Sequence, residues 1–598
     1  MQTQKKVVYQ VFTRLFGNTN TANIPWGTIA ENGVGKFNDF TPKALAEIKA
    51  LGVTHIWYTG VPHHALINDY TDIDISNDHP AVVKGRAGSP YAVKDYYNVN
   101  PDLAENPAQR LEEFKALIER THNVGLKVII DIVPNHVARK YEGKTNPTGV
   151  IDFGFDDDKT IEYNKDNNFY YNPDESFKTP EWLHNYEPLG GEKHPLLETE
   201  FQEFPAKWTG NGSRLSQPHF YDWYETVKLN YGVRPNGQRD FSNLPNGFDK
   251  KDSHEHFAFW QTQDVPNTWK KFRDIALYWT ELGVDGFRYD MAELVPVEFW
   301  SFMNSSIKMK NPEAFLLAEV YNPDEYRNYI HLGKMDYLYD KVELYDTLKG
   351  IMQGQVSTDA IVDIQHRLWD IEHQMLHFLE NHDEQRIASP EFAGSAAKGK
   401  PAMVLSATIS SSPTMIYFGQ EVGEPAAENA GFGSHSRTSI FDYIGVPHHQ
   451  RWVNNKKFDG GQLLPEERQL RNFYKKLFNF CNISSALTGS YLEIHRHNRA
   501  YTPYYNEYLF SFVRFSETEK LIIVNNFHAT DTFGFELEVP EYVIKAWNLP
   551  EGKYKLSDQL ENHKTALLFV NHSIGKVRVD IQALESLILK LEDFREGF

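Results

Sequence analysis

The feature that most constrains the fold is a pattern that occurs three times: an amphipathic helix, a glycine, and a short apolar strand. The three glycines are Gly52, Gly125 and Gly283. Each can end a helix, because glycine adopts left-handed backbone angles at no steric cost. The apolar runs that follow are typical of strands buried on both faces of a parallel sheet. The pattern therefore predicts alternating β and α units.

Further apolar runs typical of strands lie at residues 7–12, 315–320, 375–383 and 413–419. Several of them end in polar or charged residues. This number of parallel units predicts an α/β fold, a (β/α)8 TIM barrel, whose functional site lies at the carboxyl ends of the strands. A doubly wound open sheet is the alternative. No G-x-G-x-x-G follows an early strand, which disfavours a nicotinamide oxidoreductase.

The strand and helix pattern divides the chain into three parts. Residues 1–137 and 266–484 carry the barrel pattern. Residues 138–265 are rich in Asn, Asp, Gly, Pro and aromatics and are too long for a structureless loop, so they predict an inserted irregular domain after the third strand. Residues 485–598 contain strand runs and a hairpin signal, which predict an all-β sandwich domain.

Composition excludes several classes of function. With 61 basic and 81 acidic residues, the net charge of -20 disfavours nucleic acid and anionic membranes as partners. A single cysteine, Cys481, excludes an intramolecular disulfide and a cysteine-based zinc site, and its apolar setting predicts a core thiol. No apolar run is long enough to span a membrane. The first ten residues lack a secretory core, which indicates a cytoplasmic protein or an exported one whose leader was removed.

Three acidic residues stand at the ends of three predicted strands: Asp290, Glu319 and Asp383. In a barrel such positions converge on one mouth. Two carboxyls that flank a bond are what glycoside hydrolysis requires. Arg288 lies two residues before Asp290, on the same strand face, and its charge favours an ionised Asp290. A structural ion pair is the alternative interpretation of Arg288 and Asp290 alone.

Four segments in this order carry a resemblance to a known family. They are D-I-V-P-N-H-V at 131–137, G-F-R-Y-D at 286–290, A-E-V at 318–320 and F-L-E-N-H-D at 378–383. They resemble the four conserved regions of the α-amylase family, glycoside hydrolase family 13. The resemblance covers about residues 7–450, and an all-β tail is also usual in that family.

The resemblance implies a retaining double displacement on α-glucans. It makes Asp290 the nucleophile, Glu319 the acid and then the base, and Asp383 a stabiliser of the transition state. It implies four further residues that orient the nucleophile or bind the sugar in the cleavage subsite: Arg288, His136, His382 and Tyr91.

Two departures from the family pattern bear on specificity and on metal binding. Glu293 and Leu294 stand where many α-amylases have Lys-His, and we expect Glu293 to reach the cleft mouth, with Lys228 as a possible partner. T-V-K-L-N at 226–230 is similar to the neopullulanase and cyclomaltodextrinase branch. Asn135 matches a position that binds calcium in relatives, but Lys228 replaces the expected acidic ligand and would repel Ca²⁺. We therefore expect no required cofactor and no metal ligand.

These observations predict a glycosidase that cleaves α-1,4 bonds of starch, glycogen or maltooligosaccharides. The alternatives are a transglycosylase, or a neopullulanase- or cyclomaltodextrinase-like enzyme of the same fold. A catalytically inactive relative is disfavoured, because all three carboxyls of the motifs are intact.

Overall fold

The computed structural model describes residues 4–560 and 564–596, so the ends of the predicted barrel and C-terminal domains, and residues 561–563, lie outside the described part. Eight parallel strands of the described chain form one sheet in sequential order. A bridge between His377, just after the seventh strand, and Thr414 of the eighth joins the two ends of this sheet and closes the barrel. The strands are β1 (Val7–Phe12), β2 (His55–Thr59), β3 (Lys127–Ile132), β4 (Gly286–Tyr289), β5 (Phe315–Ala318), β6 (Tyr337–Tyr339), β7 (Met375–Leu376) and β8 (Thr414–Tyr417). This confirms the predicted (β/α)8 barrel.

Helices follow the strands along the chain. They are α1 (Pro42–Lys49), α2 (Arg110–Asn123), α3 (Asn267–Glu281), α4 (Val297–Lys310), α5 (Tyr326–His331), α6 (Asp346–Met352), α7 (Ala360–Leu368), α8 (Gly399–Thr408) and α9 (Pro465–Ile483). No helix within the described residues is long and apolar enough to cross a membrane.

Local signals set the ends of these helices as the sequence predicts. The Thr41 side chain accepts a hydrogen bond from the backbone N–H of Ala44 at 3.1 Å, which caps α1. Gly283 follows α3 with a φ of 101°, a value that a side chain would strain. On α3, Trp269, Phe272 and Trp279 are fully buried. The free thiol of Cys481 is buried on α9, as expected.

The region between β3 and α3 is held by short antiparallel ladders and turns. His136–Ala138 pairs with Thr226–Lys228, with His136 opposite Lys228. Tyr171–Asn172 pairs with Ala206–Lys207. The first ladder starts four residues after β3, so the inserted region is anchored beside the carboxyl ends of the barrel strands.

An antiparallel sheet of eight strands follows α9. The strands are β9 (Ser490–Glu493), β10 (Leu509–Phe515), β11 (Lys520–Asn526), β12 (Phe533–Val539), β13 (Gly552–Asp558), β14 (Thr565–Asn571), β15 (Ile574–Ile581) and β16 (Ser586–Glu596). The predicted hairpin is β10 and β11. Both ends of the sheet contact one apolar cluster, and Tyr505 before β10 packs on Phe535 of β12 at 5.4 Å. The sheet thus wraps around its own core, with the packing of the predicted sandwich.

The structure corrects the strand predictions at two places. β6 was not predicted, because three residues with a polar neighbour on each side carry too little periodic signal. The predicted strand 375–383 is only two residues long. Its remainder becomes a loop, in which the Asn381 side chain accepts the backbone N–H groups of Asp383 and Glu384, both at 2.9 Å.

Gly286→Ala should destabilise the barrel where β4 meets β5. A Cβ at Gly286 would lie 2.3 Å from the Phe315 carbonyl oxygen, a backbone atom that cannot rotate away. We expect the free energy of unfolding to fall by about 1–3 kcal/mol, the cost of overpacking. Chemical denaturation measures it. Gly247→Ala is the control, because no atom lies within 4 Å of its Cβ position and only its φ of 85° opposes the change. Equal stability of Gly286→Ala and the wild type would contradict the prediction.

Candidate active site

The buried guanidinium of Arg288 joins three carboxyls at the ends of three neighbouring strands. Its Nη1 donates to Asp290 Oδ1 at 2.9 Å, and its Nη2 donates to Glu319 Oε2 at 2.8 Å. Nη1 also lies 3.4 Å from Asp131 Oδ1. Arg288 is 0% exposed, so these contacts are shielded from water. The structure therefore brings Asp290 and Glu319 together, as the sequence predicts.

Asp131, the first residue of the segment D-I-V-P-N-H-V, is a further residue of this site that was not predicted from the sequence. It is the direct register partner of Arg288 across β3 and β4. Its second oxygen accepts a hydrogen bond from Trp57 Nε1 on β2 at 2.8 Å. A polar residue inside the apolar run L-K-V-I-I-D-I-V was the available signal, because an inward-facing charge in a barrel strand requires a partner.

The backbone after Asp290 also holds Glu319. Met291 has a φ of 45° and a ψ of 42°, a left-handed conformation that is uncommon for a residue with a side chain. In this conformation the Met291 N–H donates to Glu319 Oε2 at 3.0 Å. Glu319 thus has two fixed donors on one oxygen, Arg288 and Met291, and its orientation is set before any substrate binds.

His382 connects Asp383 to Tyr91. The Gln10 amide donates to His382 Nδ1 at 2.9 Å, which leaves the ring proton on Nε2. That nitrogen faces Asp383 Oδ2 at 3.1 Å and the Tyr91 hydroxyl. The Tyr91 and His382 rings are stacked at 5.2 Å. Burial, with the charge of Arg288, lowers the pKa of His382 well below its usual range, so the ring is neutral.

His136 lies at the junction with the inserted region. Its ring contacts Trp223 edge to face at 5.3 Å. Burial, followed by the charges of Lys228 and Lys84, lowers the pKa of His136 to about 3. Lys228 donates to Asn135 Oδ1 and lies 3.4 Å from the Leu294 carbonyl oxygen.

Four carboxyls surround the one guanidinium of Arg288, and their pKa values reflect this imbalance. Burial raises the pKa of Asp290 above its usual range, and Glu319, Asp383 and Asp131 raise it further. Arg288 lowers this pKa, as expected from the sequence, but does not outweigh burial. Burial raises the pKa of Asp131 to about 6, and partial burial with Glu319 raises that of Asp383 to about 7. The cluster therefore retains a proton near neutral pH.

The expectation that Glu293 pairs with Lys228 is wrong. Glu293 Oε2 accepts the backbone N–H groups of Tyr321 and Asn322, both at 3.0 Å. These residues follow Glu319 and β5, whereas the Lys228 ammonium contacts Asn135 and the Leu294 carbonyl oxygen instead. Glu293 therefore braces the segment that carries Glu319.

Comparison with known proteins agrees with this geometry. Residues 10–214 and 256–456 match the family model for the alpha-amylase catalytic domain. The chain belongs to the alpha-amylase family. It is therefore a glycoside hydrolase of α-glucans, and the resemblance of its four motifs is confirmed.

Several members of the alpha-amylase family are similar to this chain over most of its length. Alpha-amylase 3 of Dictyoglomus thermophilum is 22% identical, over 90% of this chain and 87% of that protein. Neopullulanase 2 of Thermoactinomyces vulgaris is 21% identical, over 91% of this chain and 73% of that protein. A noncanonic maltogenic alpha-amylase from Thermotoga neapolitana has the same fold, with a TM-score of 0.57, 18% identity, and coverage of 99% of this chain and 100% of that one.

Asp131→Asn should move the acid limb of the pH–activity profile to lower pH. The charge of Asp131 raises the pKa of Asp290, so its removal lowers that pKa. The measurement is kcat/KM on maltooligosaccharides from pH 4 to 9. Asp346→Asn, at a half-exposed position on α6, is the control and should leave the limb in place. An acid limb that stays or rises in Asp131→Asn would contradict the coupling.

Proposed function

We propose that the protein hydrolyses α-1,4-glucosidic bonds of starch-type glucans or maltooligosaccharides with retention of configuration, through a covalent glycosyl-enzyme intermediate. The observation that carries the proposal is the shared guanidinium, which holds Asp290 and Glu319 on separate Nη atoms. Retaining glycosidases hold their two carboxyls about 5–5.5 Å apart. We expect that separation here.

In the first step, protonated Glu319 donates its proton to the glycosidic oxygen while Asp290 attacks the anomeric carbon. The bond to the leaving sugar breaks, and an ester to Asp290 forms. Negative charges on both Glu319 and Asp383 would disfavour ionisation of Asp290. A proton on Glu319 removes one of them and leaves Asp290 ionised against Arg288.

In the second step, Glu319 removes a proton from water, the water oxygen attacks the anomeric carbon, and Asp290 is released as a carboxylate. Asp383 stabilises the positive charge that develops on the sugar ring in both steps. We assign His382, His136 and Tyr91 to sugar binding, because they converge around Asp383 and Asn135 at the same mouth. Neutral imidazoles there donate hydrogen bonds to hydroxyls without adding positive charge to the site.

Product analysis tests the substrate class and the alternatives. The enzyme is incubated with starch, pullulan, cyclodextrin and maltotriose, and the products are resolved over time. Release of α-anomers from α-1,4-linked substrates supports the proposal. Preferential cleavage of cyclodextrin and pullulan would favour the neopullulanase or cyclomaltodextrinase alternative, and longer oligosaccharides formed with an added acceptor would favour a transglycosylase. First release of β-anomers would contradict retention.

Glu319→Gln should lower kcat on maltooligosaccharides by about 10²–10⁴-fold, because the amide cannot donate the proton. An α-maltosyl fluoride needs little protonation to leave, so the variant should retain more of its activity on that substrate. Asp290→Asn should lose activity on both substrates, since it removes the nucleophile. Glu313→Gln, exposed before β5, is the matched control. Wild-type turnover of maltooligosaccharides by Glu319→Gln would remove Glu319 from the acid role.

We also propose that the junction at Asn135 needs no calcium. The Lys228 ammonium already donates to Asn135 Oδ1, the oxygen that a cation there would require. The described residues contain no group of three or more His, Cys, Asp or Glu that could hold a metal ion. The residues around Asn135 therefore fit the ammonium group of Lys228 better than a bound Ca²⁺.

Prolonged dialysis against a chelator should leave both activity and Tm unchanged. Lys228→Ala should lower Tm, because it removes the donor that joins Asn135 to the Leu294 carbonyl, and added Ca²⁺ should not restore it. Lys270→Ala, exposed on α3, is the control. Loss of activity on chelation that Ca²⁺ alone restores would contradict the proposal.

A further inference from the structure

Three aromatic rings from three separate segments meet above the barrel. Trp26 follows β1, Tyr186 belongs to the inserted region, and Phe432 follows β8. The ring centroids of Trp26 lie 6.5 Å from Tyr186 and 6.1 Å from Phe432, and those of Tyr186 and Phe432 lie 6.0 Å apart. Each ring contacts both others. We call this triad the aromatic bridge, because it joins the inserted region, which follows β3, to the loops that follow β1 and β8.

Backbone contacts hold Trp26 in the bridge. Its N–H donates to the Ala430 carbonyl at 3.1 Å, and its own carbonyl accepts from Arg86 Nε at 2.7 Å. Two glycines let the neighbouring chains approach closely. A Cβ at Gly190 would lie 2.7 Å from Trp26 Cδ1, and one at Gly431 would lie 2.6 Å from the Trp26 nitrogen. The bridge is therefore a packed contact of three chain segments.

Two links connect the bridge to the loops that carry Tyr91 and that lie near Asp383. Arg86, which binds Trp26, lies five residues before Tyr91 on the same loop. The next residue, Ala87, donates its N–H to the Phe441 carbonyl at 3.0 Å, which ties this loop to the β8 loop of Phe432. Arg437 on that β8 loop lies close enough to act electrostatically on Asp383.

The position of Glu319 shows which half of a glucan meets the bridge. Glu319 protonates the departing oxygen, so the leaving part of the chain lies on its side, at β5. β1 lies opposite β5 in a barrel of eight sequential strands. The loops after β1 and β8, which carry two of the three bridge rings, therefore border the part of the glucan that becomes attached to Asp290.

We propose that the aromatic bridge closes this side of the cleft, so that the enzyme accepts only a short glycosyl segment before the scissile bond and acts at nonreducing chain ends. The inference rests on the proposed function, since it uses the role of Glu319. Rings that merely stabilise the inserted region would leave internal bonds of long chains accessible.

The test uses a chromogenic aryl maltoheptaoside and the same compound with its nonreducing end blocked by an ethylidene acetal. If the cleft is closed on this side, the blocked end of the substrate cannot bind there, and cleavage of the blocked compound is slow. The wild type should cleave the free-ended compound at least about tenfold faster than the blocked compound. A rate ratio of this size requires only a small difference in activation free energy. Equal rates on the two compounds would overturn the inference and leave the proposed function intact. If neither compound is cleaved, the proposed function is wrong and the inference falls with it.

Variants locate the effect in the bridge. Trp26→Ala should raise the rate on the blocked compound at least about tenfold relative to the wild type, by opening the wall. Trp369→Ala is the matched control, because Trp369 is 76% exposed after α7 and contacts none of the bridge rings. Phe432→Ala repeats the test if Trp26→Ala fails to fold, and thermal unfolding monitors both. Blocked-substrate rates that stay at the wild-type level in folded bridge variants would also overturn the inference.

Discussion

The buried guanidinium of Arg288 is the interaction on which the site depends. It is fully buried, and its partners lie on β3, just after β4 and just after β5, so its contacts require the register of three strands at once. A shift of one residue in any of them would turn a side chain of this cluster out of the barrel and remove contacts of the buried guanidinium. The chemistry and the closure of the barrel are thus linked through one side chain.

In the proposed mechanism, the excess of carboxyls over cations near Arg288 keeps a proton in the site. A fully neutralised cluster would hold every carboxyl ionised and have no proton to donate. Here burial raises the pKa of Asp131, Asp290 and Asp383. The single arginine orients the carboxyls and leaves the cluster short of positive charge.

The sequence predicts those parts of this molecule that local signals encode. Thr41, Gly283 and the apolar runs identify helix ends and strands. Asp290 and Glu319 follow from their placement at strand ends, whereas Asp383 lies in the loop after β7. It does not reveal the Arg288–Asp131 pairing or the backbone contacts of Glu293, because these depend on neighbours brought together only by the barrel. The short strand β6 escapes prediction for the same reason, since its pairing with β5 and β7 defines it more than its composition does.

Two of the contacts that fix the inserted region to the barrel differ in their chemistry. On one side, the ladder that pairs His136 with Lys228 presents an ammonium to Asn135, so a charge belonging to the chain makes the contact. On the other side, the aromatic bridge makes an apolar contact through Trp26 and Tyr186. Because one attachment is polar and the other is apolar, a single substitution removes only one of them.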